Sequence, residues 1–316
     1  MESPALSIAI VMPVFNEEAV LTETFSRLTA LFEQHREYQW RAILVDDGSK
    51  DSSGALLDQQ QGADPRFEVV TLTRNFGFQS ALAAGIDAAA EVDAVITMDA
   101  DLQDPPEVVP DLIRAWRDGA DVVLAVRRTR QETGLRRMGM DAFHAVFGKL
   151  TDQQLTNNNA GTFGLMGREA ADAFRGLPER NRFFPGLRAW VGYQVAEVSY
   201  DRDSRTAGQP KQSFGRLVSY ALDGLFSFSR LPLRAVSYVG VFVALIGFGL
   251  GTFYTLRRLV GIEVAQTGFT TLVTLVLFLG GIQLIGIGVL GEYLGRIYDE
   301  VKKRPLYLVK KRDGKE

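Results

Sequence analysis

Five short apolar runs, each closing on polar or charged residues, constrain the fold of this chain more than any other feature. They are Leu6–Pro13, Arg41–Asp46, Phe67–Leu72, Ala94–Met98 and Val122–Val126, with helix-like stretches near 17–34, 51–60, 77–90 and 106–117 between them. An apolar run without alternation must be covered on both faces, which a parallel sheet flanked by helices provides. The expected class is α/β, with a mostly parallel sheet and helices on both faces. Ligands of such sheets bind beyond the carboxyl ends of the strands. Several runs end in residues suited to chemistry: Pro13-Val14-Phe15-Asn16-Glu17, Asp46-Asp47-Gly48-Ser49, Asp99-Ala100-Asp101 and Arg127-Arg128. All of them would converge on one sheet edge.

A second feature divides the chain. Val236–Tyr254 and Phe269–Leu290 are nearly uncharged. Each is roughly 20 residues, the length a helix needs to cross about 30 Å of hydrocarbon. Two buried core helices are the competing reading, but shorter runs would serve for those. Phe214–Arg230 reads as an amphipathic helix lying at the membrane interface, with Leu217, Ala221, Leu225 and Phe228 on one face. Leu6–Val11 is too short for a signal sequence and is followed by Pro13 and Asn16. The expected organisation is a globular domain over 1–213, a juxtamembrane helix over 214–231, a transmembrane hairpin over 232–295 and a basic tail over 296–316.

Flanking charge orients the hairpin. Lys302, Lys303, Arg304, Lys310, Lys311, Arg312 and Lys315 follow the second run, and Arg216, Arg230 and Arg234 precede the first. The link between them holds only Arg257, Arg258 and Glu263. The positive-inside rule puts both ends, and so the large domain, in the cytosol, and the chain is expected to be an integral membrane protein. Gly280, Gly281, Gly286 and Gly288 suit close packing of the second run against another helix, and a homo-oligomer is expected.

Composition narrows the chemistry. The net charge of -3 argues against a nucleic-acid partner. With no cysteine and two histidines, His35 and His144, a zinc site of thiolates or imidazoles is not expected. Oxygen ligands remain, and they favour Mg2+ or Mn2+.

The strongest motif is Asp99-Ala100-Asp101-Leu102-Gln103-Asp104-Pro105-Pro106. In extended geometry residues two apart face one side, so Asp99 and Asp101 can meet one cation, with small Ala100 letting a ligand approach. Pro105 and Pro106 would stop the strand and start a helix capped by Asp104. A diphosphate would bring a metal to such a pair. Asp46-Asp47-Gly48-Ser49 offers carboxylates to a base or a ribose, although alone it is also an ordinary turn. Asn16 would cap the first helix. Residues 127–214 read as less regular, with polar stretches at Asn157–Gly161, Arg180–Phe184 and Ser204–Lys211 facing substrate.

These motifs, in this order, resemble the GT-A (Rossmann-like) glycosyltransferases of family 2. Arg74-Asn75-Phe76-Gly77, the DLQDPPE stretch, Arg180–Phe183, Ala189-Trp190-Val191-Gly192-Tyr193, Gly291–Arg296 and Arg304-Pro305-Leu306-Tyr307 extend the likeness over almost the whole chain. The pattern is that of polyprenyl-phosphate glycosyltransferases: dolichol-phosphate mannose synthase and, nearer, the bacterial two-span group that loads sugars onto undecaprenyl phosphate. The resemblance implies metal-dependent, inverting transfer from a nucleotide-diphosphate sugar to a polyprenyl phosphate at the cytosolic membrane face. It implies that Pro13, Phe15, Glu17 and Asp47 surround the nucleoside. Asp99, Asp101 and Gln103 would sit at the metal and diphosphate. Arg127 and Arg137 would meet the acceptor phosphate or the donor, and Arg205 and Lys211 form a basic loop near the membrane. Asp101, Arg127 and Arg137 would carry catalysis, and the oligomer would be a tetramer.

One segment departs from the pattern. The bacterial group commonly reads Asn-Thr-Gly-Asp-Phe-Arg-Leu; this chain reads Asn159-Ala160-Gly161-Thr162-Phe163-Gly164-Leu165. Thr162 replaces the acid and Gly164 the arginine. A sugar hydroxyl acceptor needs a base, whereas a phosphate monoester with a second pKa near 6 is already largely ionised and can attack directly. The departure also motivates an alternative, a non-catalytic membrane paralogue that binds nucleotide-sugar or lipid as a scaffold. A processive synthase would show a Gln-x-x-Arg-Trp motif and further spans, and a transporter would show a charge within a span.

Overall fold

A computed structural model describes residues 5–128, 160–180, 182–201, 231–260 and 268–312. The apolar runs form β1 (Ser7–Val14), β2 (Gln39–Asp46), β3 (Phe67–Leu72), β4 (Ala94–Thr97) and β5 (Val122–Arg127). The intervening helices are α1 (Glu18–Gln34), α2 (Ser53–Ala63), α3 (Phe78–Ala88) and α4 (Val109–Arg117), the last preceded by a 3-10 turn at Pro106–Val108. β1 lies parallel to β2 and β4, and β2 parallel to β3. One apolar cluster packs α1, α2 and α4 on one face through Leu28, Phe32, Leu57 and Leu112; a second packs α3 on the other through Leu82 and Ile86. This is the expected α/β sheet with both faces covered.

Of the region expected to be irregular, the described residues 160–180 and 182–201 supply two strands of the sheet. β6 (Ala160–Gly167) runs antiparallel between β4 and β5, and β7 (Val195–Tyr200) lies parallel to β5. Helices α5 (Arg168–Arg175) and α6 (Phe184–Trp190) stand between them. The glycine-rich β6 has weak strand propensity of its own. It forms because neighbours on both sides take its backbone hydrogen bonds. The sheet has the order β7-β5-β6-β4-β1-β2-β3-β8, with β8 at Val309–Arg312.

Helices α7 (Leu231–Leu259) and α8 (Phe269–Lys302) contain the apolar runs. Both are long and apolar enough to cross a membrane, at Pro232–Leu250 and Phe278–Lys302. Phe242, Phe248, Leu284 and Ile285 are exposed, so these are not core helices of the globular domain. The second helix continues past residue 295 to Lys302, where Lys303 adopts a left-handed conformation (φ 49°) and ends it. The tail then returns to the sheet as β8 (Val309–Arg312), antiparallel to β3. The Tyr307 hydroxyl donates to Asp87 Oδ2 at 2.6 Å, and the Arg180 N–H donates to Glu300 Oε1 at 2.7 Å. The helix end is thereby fastened to the globular domain. The amphipathic stretch over 214–230 lies outside the described residues.

Candidate active site

The strand directions bring the carboxyl ends of β1 to β5 and β7, and the amino end of β6, to one edge. There the loops after β1, β2 and β3 are stitched together. The Asn16 N–H donates to Ser49 Oγ (3.1 Å), the Lys50 N–H to Asn16 Oδ1 (2.8 Å) and the Glu17 N–H to Ser53 Oγ (2.9 Å). Asn16 is therefore not the helix cap: it sits at φ 54° and joins two loops, and Glu17 takes the cap position of α1. Gly48 (φ 71°) lies so close to the next loop that a Cβ would stand 2.7 Å from the Arg74 carbonyl carbon. Only glycine meets both conditions.

Asp47 completes this joint. Its carboxylate is 2% exposed and accepts the backbone N–H groups of Phe76 (2.7 Å) and Gly77 (2.9 Å). Burial pushes the Asp47 carboxyl above its ordinary pKa despite those two donors, and neighbouring Asp46 adds to the rise. Asp47 thus shapes the Arg74–Gly77 loop, over which the Arg74 guanidinium stacks on the Phe76 ring at 4.0 Å. Pro13 is buried, Glu17 half-buried and Phe15 exposed at the mouth of this joint.

The acidic motif differs from its extended reading. β4 ends at Thr97, and the chain turns at Ala100 and Asp101 and bends through Leu102 to Asp104. Leu102 is buried in the left-handed region at φ 58°, and the Gln103 N–H donates to Asp101 Oδ1 at 3.2 Å. Strained backbone of this kind is held by surrounding structure and clusters at functional sites. Ala100 is buried in the core, and its carbonyl accepts the Thr24 hydroxyl at 3.2 Å. Asp99 and Asp101 remain half-buried. Among the described residues no group of three or more acids and histidines is placed to hold a metal ion. Two carboxylates on a tight turn fit Mg2+ or Mn2+, which take a few protein oxygens and leave positions for phosphates and water.

Asp104 is not a helix cap either. It is 1% exposed, and its Oδ1 accepts the Tyr200 hydroxyl at 2.5 Å. Pro105 holds the cap position of the 3-10 turn without a side-chain bond. The Arg127 Nε donates to the same Tyr200 oxygen at 3.1 Å, and its Nη2 lies 3.6 Å from Asp104 Oδ1. Burial opposes the Arg127 charge, but the Tyr200 hydroxyl and the Asp104 and Asp99 carboxylates outweigh it and hold its pKa above the arginine norm. Burial, reinforced by Asp104, pushes the Tyr200 phenol well above its own.

At the departing segment, the Thr162 hydroxyl donates to Asp99 Oδ1 at 3.4 Å. The Thr162 carbonyl accepts from Thr97 Oγ1 at 2.5 Å. Arg188, from α6, reaches the same place: its Nη2 donates to the Gly161 carbonyl at 2.9 Å and its Nη1 to that of Thr162 at 3.4 Å. The structure brings together Pro13, Phe15, Glu17, Asp47, Asp99, Asp101, Gln103 and Arg127 on one edge. Arg137, Arg205 and Lys211 lie outside the described residues. Tyr200 and Arg188 were not among the residues the sequence marked, and Asp104 was marked only as a cap. Tyr200 closes a short apolar strand, which is the one signal that could have found it.

Known proteins resemble this chain in sequence and in fold. The profile of "Glycosyl transferase family 2" matches residues 9–174. A prophage-derived bactoprenol glucosyl transferase of Shigella flexneri is 43% identical, covering 97% of this chain and 98% of its own. An uncharacterized glycosyltransferase of Synechocystis is 44% identical over 96% of this chain and 95% of its own. Among solved structures, a mannosyltransferase of Pyrobaculum calidifontis, in complex with GDP-mannose and Mn2+, superposes with a TM-score of 0.50 at 15% identity, covering 91% of this chain and 86% of that one. That likeness is one of fold.

Proposed function

This chain belongs to glycosyl transferase family 2, and from that premise we propose that it moves a sugar from a nucleotide-diphosphate sugar to a polyprenyl phosphate of the bactoprenol type, at the cytosolic face of a bacterial inner membrane. The observation that carries the reading is the joint placement of the Asp99–Asp101 turn and Arg127 at the sheet edge of a domain joined to two membrane-length helices. The domain division at 213, 231 and 295 follows the same proposal.

Phe15 and Glu17, with the loop that Asp47 holds, would receive the nucleoside. Asp99, Asp101 and Gln103 would hold Mg2+ or Mn2+, which would offset the charge developing on the departing nucleoside diphosphate. Arg127, oriented by Tyr200 and Asp104, presents a fixed positive charge to the incoming phosphate. Arg137, Arg205 and Lys211 would add cations for the acceptor. A fixed cation of this sort lowers the repulsion between two anionic substrates without reorganising during the reaction. Thr162 is no base, and a phosphate acceptor needs none. Direct attack of the lipid phosphate oxygen on the anomeric carbon breaks its bond to the diphosphate and inverts the centre. A homo-oligomer, a tetramer by family resemblance, would pack the glycine-rich helix α8.

The test is transfer of radiolabelled sugar from UDP-glucose, GDP-mannose and dTDP-glucose into organic-extractable undecaprenyl phosphate, with Mn2+ or Mg2+. Labelled lipid with one donor is expected. No labelled lipid with any donor would overturn the assignment.

A further inference from the structure

The buried guanidinium of Arg188 has no place in the chemistry described so far. It comes from α6, is 4% exposed and stacks over the Phe184 ring at 5.1 Å. Its hydrogen bonds run to the Gly161 and Thr162 carbonyls, which are neutral. Burial lowers its pKa, to about 10, and among the described residues no carboxylate offsets that. A buried charge is costly unless paired, so its retention calls for a reason.

Its surroundings supply one. The two carbonyls it holds belong to the end of β6 that faces the acidic turn, where the Thr162 hydroxyl meets Asp99. On its other side, Gly161 lies against the second guanidinium: a Cβ there would stand 3.6 Å from Arg127 Nη2. Gly161 and Thr162 are therefore a thin wall with Arg127 on one side and Arg188 on the other. Gly164 leaves the space that Arg188 occupies. A Cβ at 164 would stand 3.1 Å from Arg188 Nη1 and 2.5 Å from the Val123 carbonyl oxygen.

We propose that Arg188 is a positioning residue for the acceptor side of the site, matched to Gly164. Its fork fixes the Gly161–Thr162 wall against Asp99, and its uncancelled charge behind that wall favours an anionic acceptor. The proposal rests on the transfer reaction above for its kinetics but not for its structural consequence. Lysine keeps the charge and loses the two-pronged fork; methionine loses both. Alanine at 164 crowds the fork with the arginine still present, and it also presses on the Val123 carbonyl.

Full-length protein in nanodiscs, as wild type, R188K, R188M and G164A, is measured in two ways. Hydrogen exchange is followed in the peptides covering 160–166 and, as a control, in those covering 46–49 and 74–77. Steady-state transfer to undecaprenyl phosphate is measured with the active donor. R188M is expected to speed exchange at 160–166 alone, to raise the KM for the lipid phosphate by about 10-fold and to lower kcat by a similar factor. R188K should recover the KM but not kcat, and G164A should share the local exchange change. Unchanged exchange at 160–166 in both R188K and R188M overturns the positioning role. Equal kinetics for R188K and R188M overturn the charge role. If wild type shows no transfer at all, the reaction assignment fails, and the exchange data still decide whether Arg188 holds the wall.

Discussion

The Tyr200 hydroxyl donates a 2.5 Å hydrogen bond to Asp104 Oδ1 across 96 residues of sequence. The same oxygen accepts Arg127 Nε at 3.1 Å, so one phenol fixes the direction of a half-buried guanidinium at the end of β5. Tyr200→Phe keeps the ring and removes both bonds. Removing one partner from a buried pair costs about 1–3 kcal/mol. The expected result is a melting temperature lower by several degrees and a KM for the lipid phosphate raised ~10-fold, with nucleotide binding unchanged. Chemical denaturation and steady-state kinetics check it; a selective loss of nucleotide affinity would refute the assignment of Arg127 to the acceptor.

Asp101→Ala removes a carboxylate from the turn whose Oδ1 accepts the Gln103 N–H. Transfer should fall ~100-fold or more, since charge compensation at the leaving group is lost. Stability should change by less than about 1 kcal/mol because the side chain is half-buried and lies outside the core. Chelation of wild type with EDTA should stop transfer, and added Mn2+ or Mg2+ should restore it. Full activity in Asp101→Ala or in EDTA would remove the metal from the mechanism.

Asp47→Asn tests the joint between the β2 and β3 loops. An amide can accept at one oxygen only, so one of the Phe76 and Gly77 N–H groups faces a donor. The expected outcome is destabilisation of about 1–3 kcal/mol and weaker binding of nucleoside diphosphate, measured by calorimetry with UDP or GDP. Gly48→Ala should do the same through its clash with the Arg74 backbone and its φ of 71°.

Asp93 provides a pH test away from the site. Its Oδ2 accepts the Ser7 N–H and hydroxyl, both at 2.8 Å, and its Oδ1 pairs with Arg168. The Ser7 N–H first, then its hydroxyl and Arg168, hold the Asp93 carboxyl below its usual pKa. A carboxyl lowered on folding stabilises above its unfolded pKa, and that stability is lost as pH falls through the folded value. Asp93→Asn should therefore cost about 1 kcal/mol at neutral pH, with the gap to wild type closing below pH ~4. A gap that stays constant down to pH ~3 would mean the charge contributes nothing.

Much of this was legible in the chain. β3 spans the residues its apolar run marks, and β1, β2, β4 and β5 fall within a residue or two of theirs. An unbroken apolar run admits few fates, and the polar residues that end it mark the loop edge. Periodicity has no comparable hold on direction or distant partners. Asp104 and Asn16 read as caps because local composition favours that role, yet Tyr200 and the Ser49–Lys50 loop engage them instead.

By itself the sequence determined a two-faced α/β sheet, acids and arginines at its strand ends, and two helices of membrane length, since these depend on local hydrophobicity and order along the chain. The tertiary structure alone decided that β6 enters antiparallel between β4 and β5, that the tail returns as β8, and that Arg188 fills the space beside Gly164. Those outcomes are set by which distant backbone and side-chain groups satisfy one another once buried, and no local pattern encodes them.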